Sequence, residues 1–222
     1  MSVVFTVGYE GTDIDRFVRT LKAAGVERLA DVRAVAASRK AGFSKTKLAA
    51  RLADEGIEYS HFIALGDPKP GREAARAGDF DLFRSIYGAH IETTPAQESL
   101  RELIDFVQDA PTCLLCFERD PETCHRTIVA HEVIEETGFE VFNLFADDPE
   151  RYVRHAAKLP RFHSGEGLTA ALRQPRGNCL LRRGDSTRRI QASVPNPIST
   201  PFRRRCVQAL GLGQFQVQAA DQ

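Results

Sequence analysis

Long apolar runs are missing from this 222-residue sequence. No stretch approaches the ~20 consecutive apolar residues that a membrane-spanning helix requires, so no membrane partner is expected. No secretory leader is expected: Met1-Ser2-Val3-Val4-Phe5 runs into strand-like sequence with no basic segment or cleavage site. The chain therefore reads as cytoplasmic. Cysteine is scarce. The five residues, at 113, 116, 124, 179 and 206, are odd in number and unevenly spaced, which argues against a disulfide framework. There is no Walker A phosphate loop. Gly8-x-x-Gly11 is too short for a dinucleotide fingerprint, and no internal repeat is visible.

What is present is ordinary for a globular protein: 42% hydrophobic and 27% charged residues. The length suits one α/β domain with an appendage. The net charge of zero hides an asymmetry. Residues 151–222 carry thirteen Arg or Lys against Glu166, Asp185 and Asp221, a charge of +10; the first 150 carry 17 basic and 27 acidic groups, −10. A basic tail is either a nucleic-acid contact or a solvated segment.

Strand and helix patterns alternate over the first 145 residues. Strands are expected at Val3–Val7, Glu27–Arg33, Ile57–Phe62, Thr112–Phe117 and Phe139–Leu144. Helices are expected at about 13–24, 45–55, 79–91, 94–108 and 123–137, and a short one at 150–158. Leu65 to Gly71 reads as loop, because it holds two Pro and two Gly. This alternation predicts an α/β domain over 1–148: a mostly parallel sheet of about five strands with helices on both faces. Residues 149–222, rich in Arg, Pro and Ser, read as a weakly ordered basic tail.

Ligands of open parallel sheets bind outside the carboxyl ends of the strands, and four segments emerge there. They are Gly8-Tyr9-Glu10-Gly11, Asp31-Val32-Arg33 with Ser38-Arg39, Leu65-Gly66, and Cys116-Phe117-Glu118 with Cys124-His125-Arg126. Arg33, Arg39 and Arg126 would hold an anionic substrate, such as a nucleotide, a nucleic acid or a phosphate compound. Asp31 and Arg33 would form a strand-end ion pair, or Asp31 would orient Arg33 into the crevice; Ser38 would assist, and Tyr9 would stack on a ring or cap the core. Glu10 and Glu118 are acid/base candidates.

Three roles compete for Cys116, Cys124 and His125: a thiolate nucleophile with an imidazole base, a metal site, or redox-active or merely packed thiols. Asp120 suits an N-cap and Pro121 a first helical position. Cys124 and His125 would then lie in the first helical turns, where the dipole lowers a thiol pKa. Neighbouring side chains on a helix diverge by roughly 100°, which argues against direct pairing of these two. The spacing matches no strong zinc pattern, so no metal site is assigned and no cofactor is named. Rhodanese-like and tyrosine-phosphatase-like domains need Cys-x5-Arg; here the corresponding positions are Glu122 and Ala130.

Taken together, Thr6-Val7-Gly8-Tyr9-Glu10-Gly11, Asp31-Val32-Arg33, Ser38-Arg39, Phe43, Leu65-Gly66, Leu115-Cys116-Phe117-Glu118 and Cys124-His125-Arg126 resemble a bacterial and archaeal family, domain of unknown function 488. The resemblance covers about residues 3–145. It implies a cytoplasmic α/β domain with these residues around one cleft, and it implies no particular reaction or oligomeric state. The leading expectation is an enzyme acting on an anionic substrate. The alternatives are a non-catalytic nucleic-acid-binding protein using its basic tail, and a Cys/His metal or redox sensor.

Overall fold

The centre of the fold is set by two mainly apolar runs. Val3–Gly8 forms β1 and Thr112–Cys116 forms β4, and every residue of both is buried. Strands covered on both faces read in this way. Around them lie β2 (Arg28–Asp31), β3 (Glu58–His61) and β5 (Glu140–Phe145). All pairings are parallel, in the order β3-β2-β4-β1-β5. The edge strands β3 and β5 carry the more exposed side chains. The computed structural model describes residues 2–154 and Leu159. The Arg-rich tail and the end of the expected helix over 150–158 lie outside the described residues.

Helices cover both faces, as the alternating pattern predicts. On one face, α1 (Ile14–Ala23) and α2 (Lys45–Ala53) pack Phe17, Val18, Leu21, Leu48 and Leu52 against Phe5, Val7, Leu29 and Leu115. The short α7 (Glu150–Arg154) joins them through Tyr152. The other face holds α3 (Lys69–Arg76), α4 (Phe80–Ile91), α5 (Thr94–Asp109) and α6 (His125–Thr137). Their Ala74, Tyr87, Leu100, Leu103 and Val129 pack against Val4, Ala30, Val32 and Leu114. Each fully buried Leu or Phe contributes about 1.5–3 kcal/mol. Local chemistry sets the helix starts: Asp13 accepts the Arg16 N–H at 2.8 Å and Asp79 the Leu82 N–H at 3.0 Å.

The expected loop at Leu65–Gly71 is corrected. Ile63–Leu65 is a single 3-10 turn, and α3 begins at Lys69 with Pro68 as its N-cap and Pro70 inside its first turn. The first N–H groups of a helix have no intrahelical acceptor, so proline costs nothing there. Gly71 is required by space: a Cβ would lie 2.1 Å from Asp67 Oδ1.

The order of connections creates one crevice. From β2 the chain moves outward to β3 through α2 on the first face; from its neighbour β4 it moves the opposite way, to β5, through α6 on the second. Such a switch point leaves a gap beyond the carboxyl ends of the two strands, where open α/β sheets bind ligands.

Candidate functional site

Four reactive side chains meet in this gap. Cys116 ends β4, Glu118 follows two residues later, Cys124 is the N-cap of α6 and His125 is its first residue. The sulfurs of Cys116 and Cys124 lie 3.0 and 3.1 Å from the same carboxylate oxygen, Glu118 Oε2. His125 Nδ1 is 3.7 Å from the Cys116 sulfur and 4.0 Å from that of Cys124. The ligand atoms of Cys116, Cys124 and His125 all fall within 4.8 Å of one another. His125 Nε2 sits 2.8 Å from the Val32 carbonyl on β2's exit. A carbonyl only accepts, so Nε2 carries the hydrogen and Nδ1 faces the sulfurs.

The local sequence explains the convergence. Asp120 accepts from Glu122 N–H at 2.9 Å and starts a 3-10 turn at Pro121–Thr123. Cys124 then adopts an extended backbone, φ −126° and ψ 139°, before α6 begins. This corrects the expectation that Cys124 and His125 share a helical turn and diverge. Because the N-cap lies outside the helix, the two adjacent side chains converge. Gly8 supplies the remaining clearance, since a Cβ there would stand 1.7 Å from the Glu118 carbonyl oxygen.

Burial opposes ionisation of both thiols, with opposite outcomes. At Cys124 burial is outweighed by the hydrogen bond with Cys116, the Arg126 guanidinium and His125, which hold it well below the ordinary thiol value. At Cys116 burial prevails, reinforced by Cys124 and Glu118, and the thiol is pushed well up. Burial and the neighbouring Cys124 raise the Glu118 carboxyl to about 6. Burial lowers the His125 value, but Cys124 and the bond to Val32 outweigh it and bring it to about 8.

The other residues singled out in the sequence fall elsewhere. Arg33 is buried and donates to Asp31 at 2.5 and 2.8 Å, to Tyr9 Oη at 3.1 Å and to the Phe43 carbonyl at 3.1 Å. Tyr59 donates to Asp31 at 2.6 Å. Tyr9 stacks on Phe43, with centroids 4.4 Å apart, and its hydroxyl donates to Ser38 Oγ at 3.3 Å. Asp31, Arg33, Tyr9 and Ser38 therefore form a buried brace beside the cluster. Arg126 is fully buried: it donates to the carbonyls of Glu118 and Arg119, the latter at 3.0 Å, and to Thr6 Oγ1 at 3.4 Å. The expectation that Arg33 and Arg126 grip an anion is thus redirected, because their donors are taken up inside the protein. Arg39 is exposed and makes no ion pair or hydrogen bond among the described residues. Glu10 is also exposed, and its carboxylate accepts the Arg119 N–H at 3.0 Å, with no bond to the cluster.

A family model described as Domain of unknown function DUF488 matches residues 13–133, more than half of the chain. The chain belongs to the DUF488 family. The matched span contains Asp31, Arg33, Cys116, Glu118, Cys124, His125 and Arg126. A search of curated proteins and one of solved structures find no match.

Two DUF488 residues at the site escaped the sequence reading. Asp67 is buried, its Oδ1 has no hydrogen-bond partner, and its carboxyl is raised by burial while His125, the largest opposing influence, draws it down. Tyr87 is fully buried, its ring centroid 5.2 Å from that of His125, and its hydroxyl donates to the Leu65 carbonyl at 2.6 Å. Asp67 was hidden in a Pro/Gly-rich stretch that reads as connector. Tyr87 sits on an apolar helical stripe, where an aromatic residue signals only core. No helix among the described residues is long and apolar enough to cross a membrane.

Proposed function

We propose that this DUF488 chain is an enzyme whose reaction centre is the group Cys116, Glu118, Cys124 and His125, acting on an anionic substrate. One observation carries the reading: two thiols, a carboxylate and an oriented imidazole converge at the switch point of the sheet. Packing alone does not call for it, because burying four polar or ionisable groups together is costly unless their interactions are used. Glu118 is half-buried, so it is the member of the group that incoming substrate meets. In this reading it moves protons, and the thiols and His125 do the bond chemistry or hold the group that does. The exposed Arg39 attracts the anion.

The test is an assay of the reduced full chain on phosphomonoesters, phosphodiesters, nucleotides and short oligonucleotides. Turnover of at least one class is expected. Cys124→Ser should lower its rate on the order of 100-fold. Arg39→Ala should raise KM and leave kcat in place. No turnover of any class, or both variants matching the wild type, overturns the proposal.

A further inference from the structure

We infer that Cys116, Cys124 and His125, with Glu118 in the fourth position, bind one zinc-class transition-metal ion. Around a tetrahedral ion with metal–sulfur bonds of ~2.3 Å and metal–nitrogen or metal–oxygen bonds of ~2.0–2.2 Å, neighbouring ligand atoms stand roughly 3.3–3.8 Å apart. Here the sulfur–nitrogen separations are 3.7 and 4.0 Å, and the sulfur–oxygen separations are 3.0 and 3.1 Å. These four values bracket the tetrahedral edge, and the ligand atoms of Cys116, Cys124 and His125 lie within 4.8 Å of one another, so movements of about an ångström or less close the cage.

The donor set selects the ion. Two sulfurs and an imidazole favour zinc and its neighbours over magnesium and calcium, which take oxygen ligands. The His125 ring is already set for this role, because Val32 holds the Nε2 hydrogen and leaves Nδ1 free to coordinate. A ring hydrogen fixed by a backbone carbonyl is the usual support of a metal-bound histidine.

Charge and backbone agree with the assignment. Both sulfurs face Glu118 Oε2, and a divalent ion would take the place of the protons this cluster shares there. Two thiolates and a carboxylate against the ion and the Arg126 guanidinium leave no net charge, which a buried site requires. Arg126 also ties down the carbonyls of Glu118 and Arg119, fixing the segment that carries the fourth ligand. Vicinal Cys and His ligands are awkward within a helix; the extended N-cap conformation of Cys124 removes that obstacle.

The ion would sit at the proposed reaction centre, where exchange of Glu118 for substrate would open a coordination position and free the carboxylate to move protons; the inference therefore rests on and deepens that reading, but its test needs no turnover. The reduced full chain is stripped with a chelator and titrated with zinc sulfate or cobalt(II) chloride, then examined by elemental analysis and absorption spectroscopy. One ion per chain is expected. The cobalt form should show thiolate-to-metal charge transfer and the intense visible bands of a tetrahedral site. Cys116→Ser, Cys124→Ser and His125→Ala should each weaken binding on the order of 100-fold or more, and Cys113→Ala should leave it unchanged. Should a ligand variant not fold, Glu118→Gln decides: it should keep the charge-transfer band and alter the visible spectrum. Absence of uptake by the reduced wild type overturns the inference, as do uptake undiminished in all three ligand variants and an unaltered spectrum in Glu118→Gln. Failure here with activity still dependent on Cys124 leaves the enzyme reading standing. An ion bound as described, with no turnover of any substrate class, does the reverse.

Discussion

Glu118 holds the cluster together at the scale of single residues, since one of its oxygens faces both sulfurs. Its carboxyl value of about 6, against an ordinary 4.5, has a consequence for stability. The folded chain binds the proton more tightly than the unfolded one. Stability from this group is therefore present in full below 4.5 and is lost as pH rises through about 6. The loss is at most about 2 kcal/mol, at 1.36 kcal/mol per pKa unit. Urea unfolding of the metal-free chain between pH 4 and 7 should show this decline. Glu118→Gln, which keeps the neutral shape, should flatten it; an equal slope in the variant would remove the buried-carboxyl account. Glu10 plays no comparable part, because its carboxylate serves the Arg119 N–H on an exposed loop.

The element that matters most is the turn from β4 into α6. Arg126 ties its carbonyls together and is the largest fully buried side chain among the described residues. Arg126→Ala would leave two carbonyl acceptors without their donors and a cavity beneath the turn. A loss of about 2–5 kcal/mol is expected, measured by chemical denaturation. A change under 0.5 kcal/mol would show that the guanidinium is not structural. This element also marks how far the sequence can be read. Asp120-Pro121 announced a helical start, and it does start a turn. That the turn would be 3-10, break at Cys124 and restart as α6 depends on a competition of backbone geometries that residue types alone leave open. The same limit applies at α3, where proline and glycine read as breakers although the first turn of a helix tolerates both. Elements with a strong apolar signal, the continuous runs of β1 and β4 and the helical stripe of α5, are legible to within a residue or two at their ends.

For the whole molecule, the sequence conveyed the class of fold and the edge of the sheet where chemistry gathers. It could not convey the strand order, because β3-β2-β4-β1-β5 is fixed by contacts far apart in the chain. Nor could it separate buried braces from ligand-facing groups. Arg33 and Arg126 look like anion receptors in a list of residues, and only the positions of Asp31, Tyr9 and the Glu118 and Arg119 carbonyls reveal their partners. With those two engaged, the proposed reaction centre rests on the sulfur, carboxylate and imidazole group. The most direct test is the turnover of Glu118→Gln relative to wild type, on whichever anionic substrate class the wild type accepts, with both proteins verified as folded. The account predicts a fall of ~10²–10⁴-fold in kcat, the usual contribution of a positioned acid or base. A variant that turns over at the wild-type rate would contradict the placement of the reaction centre at this cluster.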